Sequence, residues 1–497
     1  MKPKRLISLL VAVCMMITML PLSAVTAFAA DTSSSTDLEA IDGKYKYAYK
    51  KNEDGTTVTI TKILGSVDPA NNGPYDIEIP TELGGCTVTG LGENSFAVDS
   101  YDGYPGNPLC SNIHSVTIPE SVKSIGYRAF SNCDGLESLT INDAATSIGN
   151  GAFAVCTSLT TLKLGEKIKT IGEDAFRGCS SLTEVTIPQS VTFIGNHAFQ
   201  SCGLQSLIIK DAATSIGRQA FAFCNSLETL SLGENITTIG DEAFKECTAL
   251  TEVTIPQNVT SIGKQAFCLT GLNTLTIKGP IKSMGPRAFA GCTHLTSLSL
   301  YDGIQTIGEG AFINSTSLEA VTIPKSVTSI GASAFYLCSA LTNVTIPEKV
   351  TTIEVDTFKG CSKLESITLP AGLTSFDDEL TGCPDKCVIY SNKDKVAVHG
   401  QFGDTLAGHK LLGLCHVTFD ANGGKLNDSA KVPVYETEKI TDTKANELKA
   451  TDLDAINAPT RAGYKFTGWY TEKNQLFDVK DTAIMEDITL YAGWEFD

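Results

Sequence analysis

Along residues 110 to 390 the apolar positions recur in one fixed order. Residues 182 to 201, LTEVTIPQSVTFIGNHAFQS, show a complete unit: an alternating apolar stretch, a Pro-marked turn, a short apolar segment, a glycine, then a compact segment around Ala-Phe. Period-two alternation predicts a strand, and the compact segment predicts a single helical turn. Phenylalanine returns at 22- or 23-residue steps, at Phe130, Phe153, Phe176, Phe199, Phe221, Phe244, Phe267, Phe289, Phe312, Phe335 and Phe358, each preceded by Ala except where Thr357 stands. A period in the twenties marks a solenoid. No unit can bury its apolar face alone, so neighbouring units must stack into one continuous core. The predicted fold class is an α/β repeat: a solenoid with a parallel β-sheet and short helical turns. At a strand spacing of about 4.7–4.9 Å, about thirteen rungs would make a ladder on the order of 60 Å long.

The array carries a trace of its own duplication. Both 22-residue steps arise where Cys202-Gly203-Leu204 and Thr270-Gly271-Leu272 lack one residue present in Cys179-Ser180-Ser181-Leu182, and these sites lie 68 residues apart. LTEVTIP at 182 and 250 and DAATSIG at 143 and 211 repeat at the same distance, which points to tandem copying of a three-unit block. Upstream, Thr57 to Ile63 reads as a strand, IEIP at 77 to 80 imitates the strand of a unit, and VTGLGENSF at 88 to 96 imitates a degenerate unit, together forming an N-terminal cap. Between Phe96 and Cys110, YDGYPGNP predicts an exposed loop.

The recurring pattern V-T-x-I-G-x-x-A-F-x-x-C-x-x-L-x-x-V-T-I-P resembles the BspA-type leucine-rich repeat of bacterial surface proteins over roughly residues 77 to 390. The resemblance implies a curved leucine-rich-repeat solenoid with its sheet on the concave side, and a role in adhesion or partner binding. Past a terminal strand at Val388 to Tyr390 and a capping helix expected from Lys393 to Thr405, the pattern ends near Leu414. HVTFDANGG at 416 to 424, RAGYKFTGWY at 461 to 470 and ITLYAGW at 488 to 494 then resemble the Listeria-Bacteroides repeat, also called the internalin B repeat, which implies a small β-grasp-like module found in envelope proteins. Asn422-Gly423 suits a hairpin turn, and Tyr464, Phe466, Trp469, Tyr491 and Trp494 suit a small core, with ligand stacking as the lesser alternative. The acidic stretch Lys444 to Ile456 is helix-compatible. The domains expected are therefore a signal peptide at 1–29, an N-terminal cap at 30–109, the solenoid at 110–390, a cap and linker at 391–415 and the module at 416–497.

The signal peptide rests on Lys2, Lys4 and Arg5 ahead of an apolar run from Leu6 to Leu20, with Ala27-Phe28-Ala29 as the cleavage site. The run breaks at Pro21, short of the roughly 20 residues a membrane span needs. No later stretch suits insertion and no anchoring motif is visible, so a secreted, extracellular or envelope-associated protein is expected. Without the signal, 35 basic residues face 56 acidic ones, a charge of −21. That balance disfavours nucleic acid and anionic lipid as partners. The partner expected is a protein ligand or a cell-wall component, with the protein itself monomeric.

Cysteine stands three residues after the repeat Phe at Cys133, Cys156, Cys179, Cys202, Cys224, Cys247, Cys292, Cys338 and Cys361; Cys110 and Cys383 join the column, and Thr270 and Ser315 fill its gaps. A small, weakly hydrogen-bonding residue in register predicts a column of buried thiols, with a metal or redox ladder as the alternative. In-register parallel side chains rarely meet disulfide geometry. Of Cys86, Cys268, Cys387 and Cys415, which lie outside the column, Cys387 and Cys415 form the only disulfide candidate.

Alternation also points one column of each strand outward: Thr117, Thr140, Lys163, Thr186, Ile208, Ser231, Thr254, Thr276, Ser299, Thr322, Thr345 and Thr368. Thr186, Lys210, Thr254, Thr276, Ser299, Tyr301, Thr322 and Thr345 are the candidate concave binding face. Hydroxyl residues are also good strand formers, so the column has a structural explanation without a ligand. Tyr301 is the one aromatic in the outward columns, which suits a broad contact better than a compact glycan site. The histidines at 114, 197, 294, 399, 409 and 416 show no ligand spacing, and no HExxH, GxSxG or P-loop occurs. A polysaccharide lyase on a parallel β-helix would need clustered acids or bases. The outward Lys163, Lys210, Lys278, Glu184 and Glu252 are scattered. No enzyme, cofactor or metal centre is expected.

Overall fold

The computed structural model describes residues 37–68, 70–97, 108–279, 281–391, 405–420, 431–435, 461–472, 475–476 and 488–496. The signal peptide, the centre of the loop between Phe96 and Cys110, the helices expected at 393–405 and 444–456 and the Asn422-Gly423 turn lie outside these residues, except that Thr405 opens a short strand, Thr405–Leu406. The chain divides after Leu38 into two units, of which Glu39–Asp497 holds the solenoid.

Each coil of the solenoid has three sides. The first is the strand read from the alternating pattern, for example Glu184–Ile187, which pairs in parallel with Ser206–Ile209 so that Val185 faces Leu207 and Ile187 faces Ile209. Inward Val, Leu and Ile thus stack on their own kind along the array. The second side is a two-residue strand such as Phe193–Ile194, and these short strands form one ladder from Ser124–Ile125 to Ser329–Ile330. The third side carries the Ala-Phe segment.

On that third side the structure departs from the expected α/β repeat. The Ala-Phe segments are consecutive turns, and the helical segment the described residues contain is a 3₁₀ turn at Pro108–Asn112. Alternate N–H groups explain this. Those of Asp174, Phe176 and Gly178 bond the carbonyls of Asn196, Ala198 and Gln200 in the next coil, while those of Ala175, Arg177 and Cys179 close turns onto residues three earlier. An α-helix needs every one of these groups for its own i−4 carbonyl. The residues two before and two after each Phe complete the path by taking left-handed φ, as Asp174 (55°), His197 (54°) and Ser201 (57°) do. The turn side is therefore a third ladder made of turns.

Glycine sets the distance between coils on the second side. A Cβ placed at Gly195 would stand 2.6 Å from the carbonyl carbon of Gly172, and Gly149, Gly217 and Gly285 are equally confined by the preceding coil. Glu354 occupies this column after Gly331, and there the short-strand ladder is interrupted: Thr352–Ile353 pairs only onward, with Ser375–Phe376.

Inside, the phenylalanines form a continuous stack from Phe96 to Phe358, with ring centroids 4.5 to 5.7 Å apart and planes within 13°. Next to them runs the cysteine column. Each thiol donates to the Phe carbonyl of the preceding coil, as Cys156 does to Phe130 (3.3 Å) and Cys202 to Phe176 (3.1 Å). The thiols are free and almost all buried. They serve as packed hydrogen-bond donors, which is the structural alternative read from the sequence. Cys387 is a free, buried thiol as well, so the candidate bridge to Cys415 is not formed. Thr270 meets its own-coil Phe267 carbonyl instead, whereas the buried Ser315 hydroxyl has no partner among the described residues.

An antiparallel hairpin, Tyr45–Lys51 with Thr57–Ser66, closes the N-terminal end and passes the pairing to Cys86–Leu91. Buried Tyr47 meets Phe96 edge-on (6.4 Å, 62°), ending the stack. Tyr75–Glu78 pairs with Ile113–Ile118, as the imitation of a unit strand implied. At the other end, His409–Asp420 continues the solenoid sheet by pairing with Val388–Ser391, then pairs with Lys431–Tyr435 and Ile488–Phe496. Tyr464–Tyr470 lies antiparallel to Ile488–Phe496, with Trp469 buried and packed on Phe466.

Two backbone columns can be tested by substitution. Gly195→Ala forces a methyl group into the preceding backbone and should cost at least about 3 kcal/mol. Val155, at φ 60° and 43% exposed, is the one β-branched residue at a position where other coils have Gly178, Asn132 or unbranched-Cβ residues such as Leu269; Val155→Gly should stabilise by about 1 kcal/mol. Urea denaturation of both variants checks the pair. Burial also pushes the thiols of Cys224, Cys292 and Cys338 up from 9.0 to about 12. Unfolding lets them ionise, so their contribution to stability is complete below pH 9 and declines as pH rises toward 12. Iodoacetamide at pH 8 should leave these thiols unmodified in the native protein, and the urea midpoint should fall between pH 9 and 11.

Candidate functional site

Exposure follows the alternation read from the sequence. Thr186, Thr254, Thr276, Ser299, Thr322 and Thr345 are solvent-exposed in their strands, between neighbours that are buried apart from the half-buried Val321. Parallel pairing places Thr254 beside Thr276, Ser299 beside Thr322 and Thr345 beside Thr368. Ile208 interrupts the hydroxyl column next to Thr186 and is 44% exposed. Lys210 and Tyr301 follow the ends of their strands. Lys210 is half-buried and lies 3.5 Å from Glu166, so its charge already has a partner; Tyr301 is 41% exposed. The column is a row of rigidly spaced hydroxyls whose backbone is occupied in the sheet, suited to side-chain contact with a broad partner.

At the N-terminal edge of this side, His114 bridges three strands. Its Nδ1 lies 3.0 Å from Asp76 Oδ1 and its Nε2 3.3 Å from Glu137 Oε2, and Ser115 Oγ donates to the same Asp76 oxygen. The hydrogen bond to Asp76 is the main cause raising the His114 pKa above 6.5, and bonds from Ser115 and His114 lower that of Asp76. The sequence separation hides this cluster, since the three residues come from three coils.

The turn side holds two further features that motif spacing missed. His197 Nδ1 lies 3.7 Å from Glu173 and 3.9 Å from Asp174, and the three ligand atoms fall within 4.8 Å, close enough to hold a divalent cation. Arg177 already stands 3.8 Å from Asp174 and supplies a positive charge there. Glu173 and Asp174 also line a groove of about 390 Å³ that crosses the first coils, with Asn94, Tyr127, Arg128, Asn132, Asn150, Val155 and Arg177 among its walls. One turn of 22 or 23 residues brings each of these beside the next.

The BspA type leucine rich repeat region matches residues 108–228, 169–296, 214–341 and 261–383, together more than half of the chain. The chain belongs to the BspA-type leucine-rich-repeat family. This BspA-type protein also carries a Listeria-Bacteroides repeat domain, matched over residues 416–493. Among solved structures, a leucine-rich repeat protein from Bacteroides ovatus is 22% identical with a TM-score of 0.44, covering 75% of this chain and 98% of its own. A leucine-rich cell surface protein from Faecalibacterium prausnitzii is 27% identical with a TM-score of 0.43, covering 74% and 97%. The pneumococcal vaccine antigen PcpA is 17% identical with a TM-score of 0.36, covering 76% and 99%. No curated protein matches the BspA-type chain. Among its described residues, no helix is long and apolar enough to cross a membrane.

Proposed function

We propose that this protein is exported and works outside the cell or in the envelope, holding a protein ligand or cell-wall component on its solenoid and catalysing nothing. The observation that carries the reading is the strand column from Thr117 to Thr368, exposed except at the half-buried Thr140 and Thr368, beside inward residues that lie in the core or pack against it. Thr186, Lys210, Thr254, Thr276, Ser299, Tyr301, Thr322 and Thr345 form the contact face. Such a face arrives preformed, so a partner loses little freedom in ordering it. The Listeria-Bacteroides module serves as spacer or envelope contact.

A passive envelope scaffold is the second reading, and the contact face favours it: of its eight residues, Tyr301 is the one of the Trp, Tyr and Arg types that dominate binding energy. Binding separates the two. The full chain and a Thr254→Arg/Thr322→Arg variant are tested against purified bacterial cell wall and a panel of extracellular matrix proteins. The interaction reading expects a partner whose affinity falls at least about tenfold in the variant, or about 1.4 kcal/mol. Cell-wall retention unchanged by the substitutions, with no matrix protein bound, contradicts it and supports the scaffold.

A further inference from the structure

The groove on the turn side exposes two apolar side chains, Tyr127 and Val155, among polar ones. In the column three residues before each Phe, Asn150, Asn196 and Asp241 accept an N–H from the next coil through Oδ1, at 3.0, 2.9 and 2.7 Å. Other coils hold residues such as Glu173, Arg218, Lys264 and Pro286 in this column; Tyr127 is its one aromatic, and its ring is 40% exposed in the groove wall. In the column two residues after each Phe, Gly178 and Asn132 suit the left-handed path. Val155 adopts φ 60° there and exposes its methyl groups to the same groove. Phe223, Leu269 and Leu337 take the same left-handed φ in other coils, so what sets the groove apart is that an exposed ring and an exposed branched side chain line one surface.

The walls specify the ligand's chemistry. The backbone is already committed: Asn94, Arg128, Asn132, Gly151 and Val155 each donate their N–H to the next coil, so an extended peptide cannot add as a strand. Recognition falls to side chains. Asn94, Asn132 and Asn150 bring side-chain amides, which offer both donors and acceptors. Arg128 and Arg177 balance Glu173 and Asp174, so the groove favours neither an anion nor a cation. Arg128 is held over the Tyr127 ring, 5.0 Å from its centroid, and a Cβ at Gly151 would come within 3.1 Å of its stem. Fixed planar polar groups around a small apolar patch match a pyranose ring, which has an apolar C–H face and a rim of hydroxyls. The volume, about 390 Å³, lies in the range of small-ligand sites, roughly 300–1,000 Å³.

We propose that this groove binds a neutral saccharide, with Tyr127 and Val155 against a sugar face and the Asn, Arg and acidic side chains on its hydroxyls. The site is on a different side of the coil from the threonine column and stands independently of the reading above. The test applies the full chain to an array of neutral hexose and N-acetylhexosamine oligosaccharides, together with sialylated and sulfated forms. Wild type should be retained on neutral probes. Tyr127→Ala should weaken retention at least about tenfold and Val155→Gly about fivefold, while the Thr254→Arg/Thr322→Arg variant keeps it. Val155→Gly is expected to fold at least as well as wild type, and its urea midpoint keeps loss of binding distinct from loss of structure. Retention of no neutral probe, retention only of charged probes, or equal retention by wild type and both groove variants overturns the proposal.

Discussion

The N–H of Phe176 bonds the carbonyl of Ala198 one coil on, and the same bond recurs at Phe153, Phe199, Phe221, Phe244 and Phe267. Most of what the solenoid does follows from this coil-to-coil bond. It fixes one spacing for all three sides, and that spacing leaves no room for a side chain beside Gly172 or Gly195. It stacks the phenylalanine rings and sets each cysteine thiol within reach of the carbonyl one coil earlier. A turn that spends alternate donors on its neighbour cannot also be a helix, so the compact segment appears as a chain of turns with two left-handed residues in every coil.

The same constraint divides the molecule's surfaces by chemistry. Where strands carry the ladder, outward positions are filled by residues that favour strands, and the result is the hydroxyl row of Thr254, Thr276, Ser299 and Thr322. Where turns carry it, outward positions tolerate more variety. The arginines of the repeat array, Arg128, Arg177, Arg218 and Arg287, all fall in Ala-Phe segments. Tyr127 and Val155 fall there too. The strand side offers extent and regularity, while the turn side offers the side chains that usually supply binding energy.

The sequence made the architecture legible because the fold is written as columns. The Phe and Cys periods, the alternation around Thr186 and the imitation strands at 77 to 80 and 88 to 96 all appear in place, since each depends only on position within a coil. The helical turn was misread because a single segment, taken alone, has helix-like spacing. Its hydrogen-bond partners lie 21 or 22 residues away, and the left-handed φ of Asp174 or His197 leaves no mark in residue type. The Cys387–Cys415 pair is not joined either: Cys387 lies outside the column yet is a free thiol as buried as its neighbours in the core. The His197 cluster and the groove were invisible to motif spacing, because Tyr127, Val155 and Arg177 are separated by a full coil each. One signal was available. Val155 is the one β-branched residue between Asn132 and Gly360 in a column that also holds Gly178, Ser201, Phe223, Glu246 and Leu269.

The central claim is that the Ala-Phe turns form a ladder as continuous as the strands beside them. Native-state hydrogen–deuterium exchange of the full chain, resolved on peptides covering residues 172–182 and 195–204 against those covering 184–187 and 206–209, measures this directly. The account predicts that the amides of Asp174, Phe176, Gly178, His197, Phe199 and Ser201 are protected to the same degree as those of the paired strands, because each is bonded to the next coil. Turn amides that exchange at unprotected rates while the strands remain protected would contradict it, and would reduce the third side of the solenoid to a series of loops.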